Sequence, residues 1–539
     1  MYRDKLFIFI VVLTSLLIII HKVYNAQGAN FFMDDYWWGM YTGYGFREKL
    51  FDSFKFDVVH GGGYPGLFLC KLFSFGLPNM LGLHPQDFMS VPQGIIRSIL
   101  AIIILFFIST AFVRQSKNKP FYYLLFPFCT LYYLYSIYSC DSLWIKYSTI
   151  TFVNYNWYRY FFSLFFFAVF WQYISEIIFT KEKNINYFKL ICAVIAAYAT
   201  ATSSELLIGA SCCAIGLIII FDVLYSKKII LNRCFFIPAS VLYITAYAFI
   251  TTDKFSSVFL DRLPETVSIQ MIIDFIKEYF KICFYHEIIF WAFFAALFIY
   301  ALYTALKNKE KEKLLIPIVL QISVLTVMFL LIIPGKTFAN EEMFWLQHPN
   351  VQFIYKMLIF IPFLMLFNYV TQNSKYSENL FIYSAVALFI LVLTLIKFTD
   401  GLNILKYRTE DKKLRTQYYI NEKILNYYYL KDKKPLLPSF LIASGLQYYS
   451  PVENGNDCYI DYILSDVYYS KIYKNDKPIV VGYCKTDIDK ALEEFYKIGG
   501  SFSKEELTEL KFQNLLNDKY VLSKQEKEIN IQEVRSIAE

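Results

Sequence analysis

Apolar residues in this chain come in long runs rather than in the strict alternation of a half-buried sheet. Runs of about 17 to 25 residues recur from the N-terminus to about residue 398, the length that crosses roughly 30 Å of hydrocarbon as α-helix. Eleven spans are predicted, over residues 6–23, 95–113, 121–138, 160–179, 187–203, 206–224, 235–251, 287–306, 314–333, 353–371 and 379–397. Charged residues become frequent from Lys406 onward, which divides the chain into a membrane region, residues 1–398, and a soluble remainder, residues 399–539. In that remainder, residues 440–443 and 478–482 read as strands and residues 459–469 and 487–497 as helices, the pattern of a small α/β domain. Gly499-Gly500 ends the last of these helices, and Ser503-Lys-Glu-Glu506 has the spacing of a capping box.

Composition agrees with the pattern: 57% of residues are hydrophobic, 20% are aromatic, and the mean hydropathy is +0.39. Lys and Arg then orient the spans, because cytoplasmic loops retain excess positive charge. Arg3 and Lys5 precede the first span, and Arg114, Lys117, Lys119, Lys181, Lys183, Lys227, Lys228 and Arg233 follow the even-numbered ones. Lys307, Lys309, Lys311 and Lys313 continue the alternation. The N-terminus is therefore expected inside, and residues 22–94, 139–159, 252–286, 334–352 and the tail outside. The net charge of +7 is accounted for by the inner loops, which suit anionic membrane lipids, and implies no nucleic acid partner. The basic start and Ala26-Gln-Gly-Ala29 also fit a cleaved secretory signal, and either reading leaves the residues after the first apolar run outside.

Residues 22–94 are too many and too aromatic for an inert connection. Within them, Leu67 to Leu83 is apolar but broken by Gly76 and Pro78, which predicts a re-entrant or surface helix. Just beyond the first span stands Phe31-Phe-Met-Asp-Asp-Tyr-Trp-Trp38. Apolar surroundings and a neighbouring negative charge raise the pKa of one of two adjacent carboxylates, so Asp34 or Asp35 suits a general base. Carboxylate oxygens equally suit Mg2+ or Mn2+, and an N-cap with a first-turn acid needs no chemistry at all. His60-Gly-Gly-Gly-Tyr-Pro-Gly66 offers backbone amides in the manner of an anion nest, without the Lys of a nucleotide-binding loop. Arg159, at the head of the fourth span, suits bidentate phosphate contact, and Lys336 and His348 lie in the last outer loop. Glu205 falls in a short outer turn, where an acid close to lipid is either a site residue or the first-turn partner of a serine cap. Among ten cysteines, most lie within or near spans; Cys458 and Cys484 of the tail are the pair available for a disulfide, and no spacing suits zinc.

An acidic pair in the first outer loop, in a chain of about eleven spans with an outer C-terminal domain, resembles the GT-C membrane glycosyltransferases, in particular bacterial members associated with surface polysaccharides. The resemblance implies a bacterial plasma-membrane enzyme that takes a sugar from a polyprenyl-phosphate donor and gives it to a cell-surface glycan or glycolipid. It assigns the base or metal-ligand role to Asp35 or Asp34, and donor-phosphate or substrate contacts to Arg159, His60, Lys336, His348 and Glu205. A flippase or transporter of lipid-linked saccharides is the competing expectation, as is a polysaccharide polymerase. The former class expects charged or broken helices inside the membrane and internally repeated halves. If Asp35 is the base, Asp35→Asn abolishes sugar transfer while the protein still accumulates in the membrane; full transfer activity in that variant would exclude the assignment.

Overall fold

The computed structural model describes residues 2–26, 72–83, 91–111, 122–138, 154–180, 186–226, 233–251, 269–281, 288–338 and 349–372, isolated positions between them, and three short strands of the tail. The main helices are α1 (Tyr2–Ala26), α2 (Leu77–Met80), α3 (Val91–Ala111), α4 (Tyr122–Tyr138) and α5 (Asn154–Thr180). They continue with α6 (Tyr187–Ala201), α7 (Glu205–Phe221), α8 (Arg233–Ile250), α9 (Ile269–Phe280), α10 (Ile288–Asn308), α11 (Leu315–Phe338) and α12 (Pro349–Gln372). Among the described residues, five stretches are long and apolar enough to cross a membrane: Val91–Ala111, Phe161–Ile178, Glu205–Leu224, Phe290–Asn308 and Phe353–Val370. Shorter apolar helices are Ile8–Val23, Tyr187–Ala201, Arg233–Ala248 and Leu315–Leu330. The protein is an α-helical membrane protein. Residues 379–397, expected to form the eleventh span, lie outside the described residues, as do Asp34, Asp35, His60 and His348.

Each helix shows why it packs where it does. On α1 the buried positions are Ile10, Thr14, Leu17, Ile18, His21 and Lys22, one inward stripe, while Ile8, Phe9, Val12, Leu16 and Ile20 face out. On α3 the inward stripe runs Gln93, Gly94, Arg97, Ser98, Ala101, Ile104, Leu105 and Ile108, with Ile95, Ile99 and Ile103 outside. Apolar side chains on the outward faces suit lipid, which supplies no polar partners. The threonines and serines of these helices bond back to carbonyls three or four residues earlier, as Thr14 does to Ile10 at 2.6 Å and Ser98 to Gly94 at 2.5 Å.

Packing is pairwise and continuous: α1 lies on α3 and α4, α5 on α6, α6 on α8, and α7 on α11. Central to the set is α12, which meets α4, α5, α10 and α11 and has 83% of its Phe353–Val370 stretch buried, against 50% for α3. Its Phe360 stacks on Tyr132 of α4 with ring centres 4.0 Å apart, and Phe363 meets Phe128, Phe290 and Phe294. Helix α10 ends in a left-handed residue, Lys309 (φ 56°), with the Glu310 amide donating to the Ala305 carbonyl at 2.9 Å. Glu310 then joins Lys313 at 2.6 Å and accepts from the Tyr369 hydroxyl at 3.1 Å, clasping the α10–α11 turn to the end of α12. Lys189 and Glu176 form a comparable tie between α5 and α6, partly exposed and so of small energetic weight.

Arg159 stands near the head of its helix as expected, in the second turn of α5, which begins at Asn154, some residues before the expected start. Two expectations are corrected. Lys336 belongs to α11, which continues through Pro334 and Gly335 to Phe338, so it is not a loop residue; the helix loses one backbone hydrogen bond at Pro334 and persists. In the tail, Cys458–Asp461 is a strand where a helix over residues 459–469 is expected, because the short Tyr-Ile-Asp-Tyr-Ile pattern fits either period. That strand (β2) runs antiparallel to β3 (Val481–Cys484), with Cys458 opposite Cys484, and β1 (Leu436–Pro438) runs parallel to β3. The apolar stretch before residue 83 is broken as expected: a π-turn at Leu72–Gly76 leads into α2, which Gly82 (φ +68°) closes with the Leu83 amide donating to the Pro78 carbonyl at 2.9 Å.

The α7–α11 contact depends on a missing side chain. A Cβ on Gly209 would stand 2.7 Å from Val327 Cγ1, too close for any real contact. Gly209→Ala therefore lowers the thermal midpoint through overpacking of about 1–3 kcal/mol, and adding Val327→Ala restores most of the loss. Simple additivity of the two losses, read by a melting assay in detergent, would rule out this contact as the cause.

Candidate functional site: a buried basic cluster at one end of the bundle

Three helices, α1, α3 and α12, bring charge inside the protein at one end. The inward stripe of α1 ends in His21 and Lys22, each 1% exposed, and that of α3 begins with Gln93 at 0% and Arg97 at 2%. His21 and Lys22 adjoin on α1, and α1 packs on α3, which carries Arg97. The Lys22 ammonium sits over the Tyr133 ring of α4, 5.2 Å from its centre. That ring is held edge-on by Phe161 of α5 at 5.3 Å and by Phe353 of α12 at 6.1 Å. Beside it the Tyr132 hydroxyl donates to the carbonyl of Lys356 at 2.8 Å, and Lys356 is itself 3% exposed.

Hydrogen bonds tie the cluster to the segment before α3. The Tyr158 hydroxyl of α5 donates to Gln93 Oε1 at 2.8 Å, and Gln93 Nε2 donates to the Phe73 carbonyl of the π-turn at 2.6 Å. Phe73 stacks on Tyr158 with ring centres 5.9 Å apart and planes inclined by 23°. Arg97 Nε donates to the Gln93 carbonyl one turn earlier at 3.4 Å. Helix ends that are far apart in sequence thus come together here, with Tyr132, Tyr133 and Tyr158 among the contacts that join them.

Burying a cation in a medium of low dielectric costs several kcal/mol even after relaxation, and two of like sign repel as well. Such a site favours an anion. Guanidinium and ammonium groups together match a phosphate, the first through paired N–H donors and the second as a compact charge. Among the described residues no group of His, Cys, Asp and Glu is arranged to hold a metal ion.

Of the residues expected from sequence to form a site, Arg159 is on α5 next to Tyr158, and Lys336 is in the last turn of α11. Glu205 opens α7, with Ser204 as N-cap accepting from the Leu207 amide at 3.4 Å, the arrangement that the capping alternative requires. Lys22, His21, Arg97, Gln93 and Lys356 went unnoticed in the sequence, although extending the apolar stripes of α1 and α3 by one turn leads directly to the first four. No family model, curated protein or solved structure matches the chain.

Ser204→Ala removes the cap of α7 and lowers stability by about 1 kcal/mol. Glu205→Gln costs about 0.3–1 kcal/mol through the helix dipole and leaves ligand binding at the basic cluster unchanged. Loss of that binding in Glu205→Gln at unchanged stability would give Glu205 a site role beside its place in the cap.

Proposed function

We propose that the protein is a membrane glycosyltransferase that takes its sugar from a polyprenyl-phosphate donor, with the basic cluster receiving the lipid phosphate. The observation that carries this reading is the burial of Lys22 and Arg97 on two helices packed against each other at one end of an apolar bundle, with Gln93, Tyr158 and Tyr133. A long isoprenoid suits the apolar flanks of such a bundle, and its phosphate needs cations at the depth where hydrocarbon ends. In the proposed topology eleven spans place that end of the bundle on the extracytoplasmic side of a bacterial plasma membrane. The tail there forms a small α/β domain. Cations on that side run against the usual charge bias of membrane proteins, which supports a ligand-binding reason for them.

The chemistry is a single displacement at the anomeric carbon. Asp35, or Asp34, accepts the proton of an acceptor hydroxyl on a surface glycan or glycolipid; the acceptor oxygen bonds to the anomeric carbon; the bond from that carbon to the phosphate oxygen breaks. Configuration inverts. Polyprenyl phosphate leaves with one additional negative charge, and Lys22 and Arg97 stabilise that charge as it develops. Asp34 and Asp35 would be the residues to hold a divalent ion such as Mg2+ or Mn2+, which would supply electrostatic stabilisation of the same kind. Arg159, which follows Tyr158 in sequence on α5, is kept as a further proposed contact to the same phosphate.

A second reading keeps the lipid phosphate and omits the transfer. Cations buried within spanning helices are also what a flippase of lipid-linked saccharides would use. The two separate by product. In nanodiscs carrying a polyprenyl-phosphate-linked sugar and a glycan acceptor, the glycosyltransferase releases free polyprenyl phosphate. Lys22→Met and Arg97→Met each lower that release by about 10- to 100-fold, the loss of one charge-assisted contact of about 1.5–3 kcal/mol. Movement of intact donor between leaflets without release would establish the transporter instead, and wild-type rates in both variants would remove the cluster from either role.

A further inference from the structure

Gln93 is fully buried and uses every part of itself. Its side-chain oxygen accepts from Tyr158, its side-chain nitrogen donates to the Phe73 carbonyl, and its own carbonyl accepts from Arg97. The amide has one orientation compatible with these partners. A backbone carbonyl only accepts, so the NH2 group faces Phe73, and the hydroxyl of Tyr158 must then be the donor to Oε1. The residue therefore joins three things: the segment from Leu72 to Met80, the wall residue Tyr158, and the cation Arg97. The Phe73–Tyr158 stack closes the same joint from the other side. The attachment point is itself a π-turn, and such turns aim groups that a regular helix would direct elsewhere.

We infer that Gln93 is a positioning residue, whose amide seats the Leu72–Met80 segment against Tyr158 beside the basic cluster, so that the segment keeps water from Lys22 and Arg97. The inference rests on the phosphate-binding reading of the cluster. Without the amide, Arg97 loses neither charge nor its backbone acceptor, but the segment beside it is released and water reaches both cations. Phosphate affinity falls because each contact is then made against a higher dielectric. An acid in place of the amide would set an acceptor against the Phe73 carbonyl and a negative charge beside Arg97.

The test uses the full-length protein in nanodiscs with farnesyl phosphate as probe. Wild type binds it, and Lys22→Met with Arg97→Met abolishes binding. Gln93→Leu and Gln93→Glu each weaken binding by about ten-fold, while the thermal midpoint of Gln93→Leu stays close to wild type. Tyr158→Phe weakens it by about three-fold and adds nothing to Gln93→Leu, because both remove the same joint. Amide hydrogen exchange over residues 72–80 rises in Gln93→Leu and not in Lys22→Met. Unchanged affinity in Gln93→Leu with the cation variants inactive would overturn the positioning role and leave the phosphate site standing. Unchanged exchange over residues 72–80 in Gln93→Leu would overturn it as well, whatever the probe does. Failure of wild type to bind farnesyl phosphate would instead overturn the phosphate reading itself.

Discussion

The organisation of this molecule turns on the cost of charge in a medium that cannot solvate it. Lipid and packed side chains both lack the dielectric response of water, so the helices turn isoleucines outward and hold Lys22, Arg97 and Lys356 inside, where tyrosine rings and amides replace part of the lost hydration. Their burial has consequences for several neighbours at once. Tyr133 must present a ring face to Lys22, which fixes Phe161 and Phe353 around it; Tyr132 must find a carbonyl for its hydroxyl, which fixes α12 against α4. The aromatic richness of the chain thereby acquires a structural use beyond occupying the headgroup level.

The opposite end of the bundle handles charge differently. Glu310, Lys313 and Tyr369 make a partly exposed clasp, and Glu176 with Lys189 make another, each opposing a cation with an acid near a turn. Such ties are cheap to form and contribute little. At the basic cluster, by contrast, the charges are buried, where each carries a larger desolvation cost and a stronger local field. Active and binding sites are where that exchange is worthwhile.

Much of the membrane region was legible in the sequence because hydrocarbon imposes a length. Ten of the eleven apolar runs correspond to described helices, with ends displaced by a few residues, since a helix continues past the hydrocarbon boundary wherever its backbone bonds persist, as α5 and α11 do. The basic cluster was harder to see because it is assembled from α1, α3, α4, α5 and α12, whose contributions lie hundreds of residues apart. Attention to span interiors passes over Lys22 and Arg97, which stand within one or two turns of span ends. What the sequence did carry was the phase of the stripe: Ile10, Leu17 and Ile18 point the same way as His21 and Lys22. The acidic pair, Asp34 and Asp35, has no neighbouring periodic element to fix its direction, and in the tail a pattern as short as Tyr459 to Asp461 suits strand and helix alike.

The central place of α12 also bears on how the bundle is built. It is the last helix of the described bundle to be synthesised, yet it is the one that touches α4, α5, α10 and α11 and is the least exposed to its surroundings. Until it arrives, Tyr132, Tyr133 and the flanks of four earlier helices face an unfilled groove. Assembly therefore has a built-in order, in which a nascent chain halted before residue 349 holds most of its helices but lacks the keystone. Quality control that senses unpaired polar groups inside the membrane would meet such a chain as incomplete, and a completed one as closed.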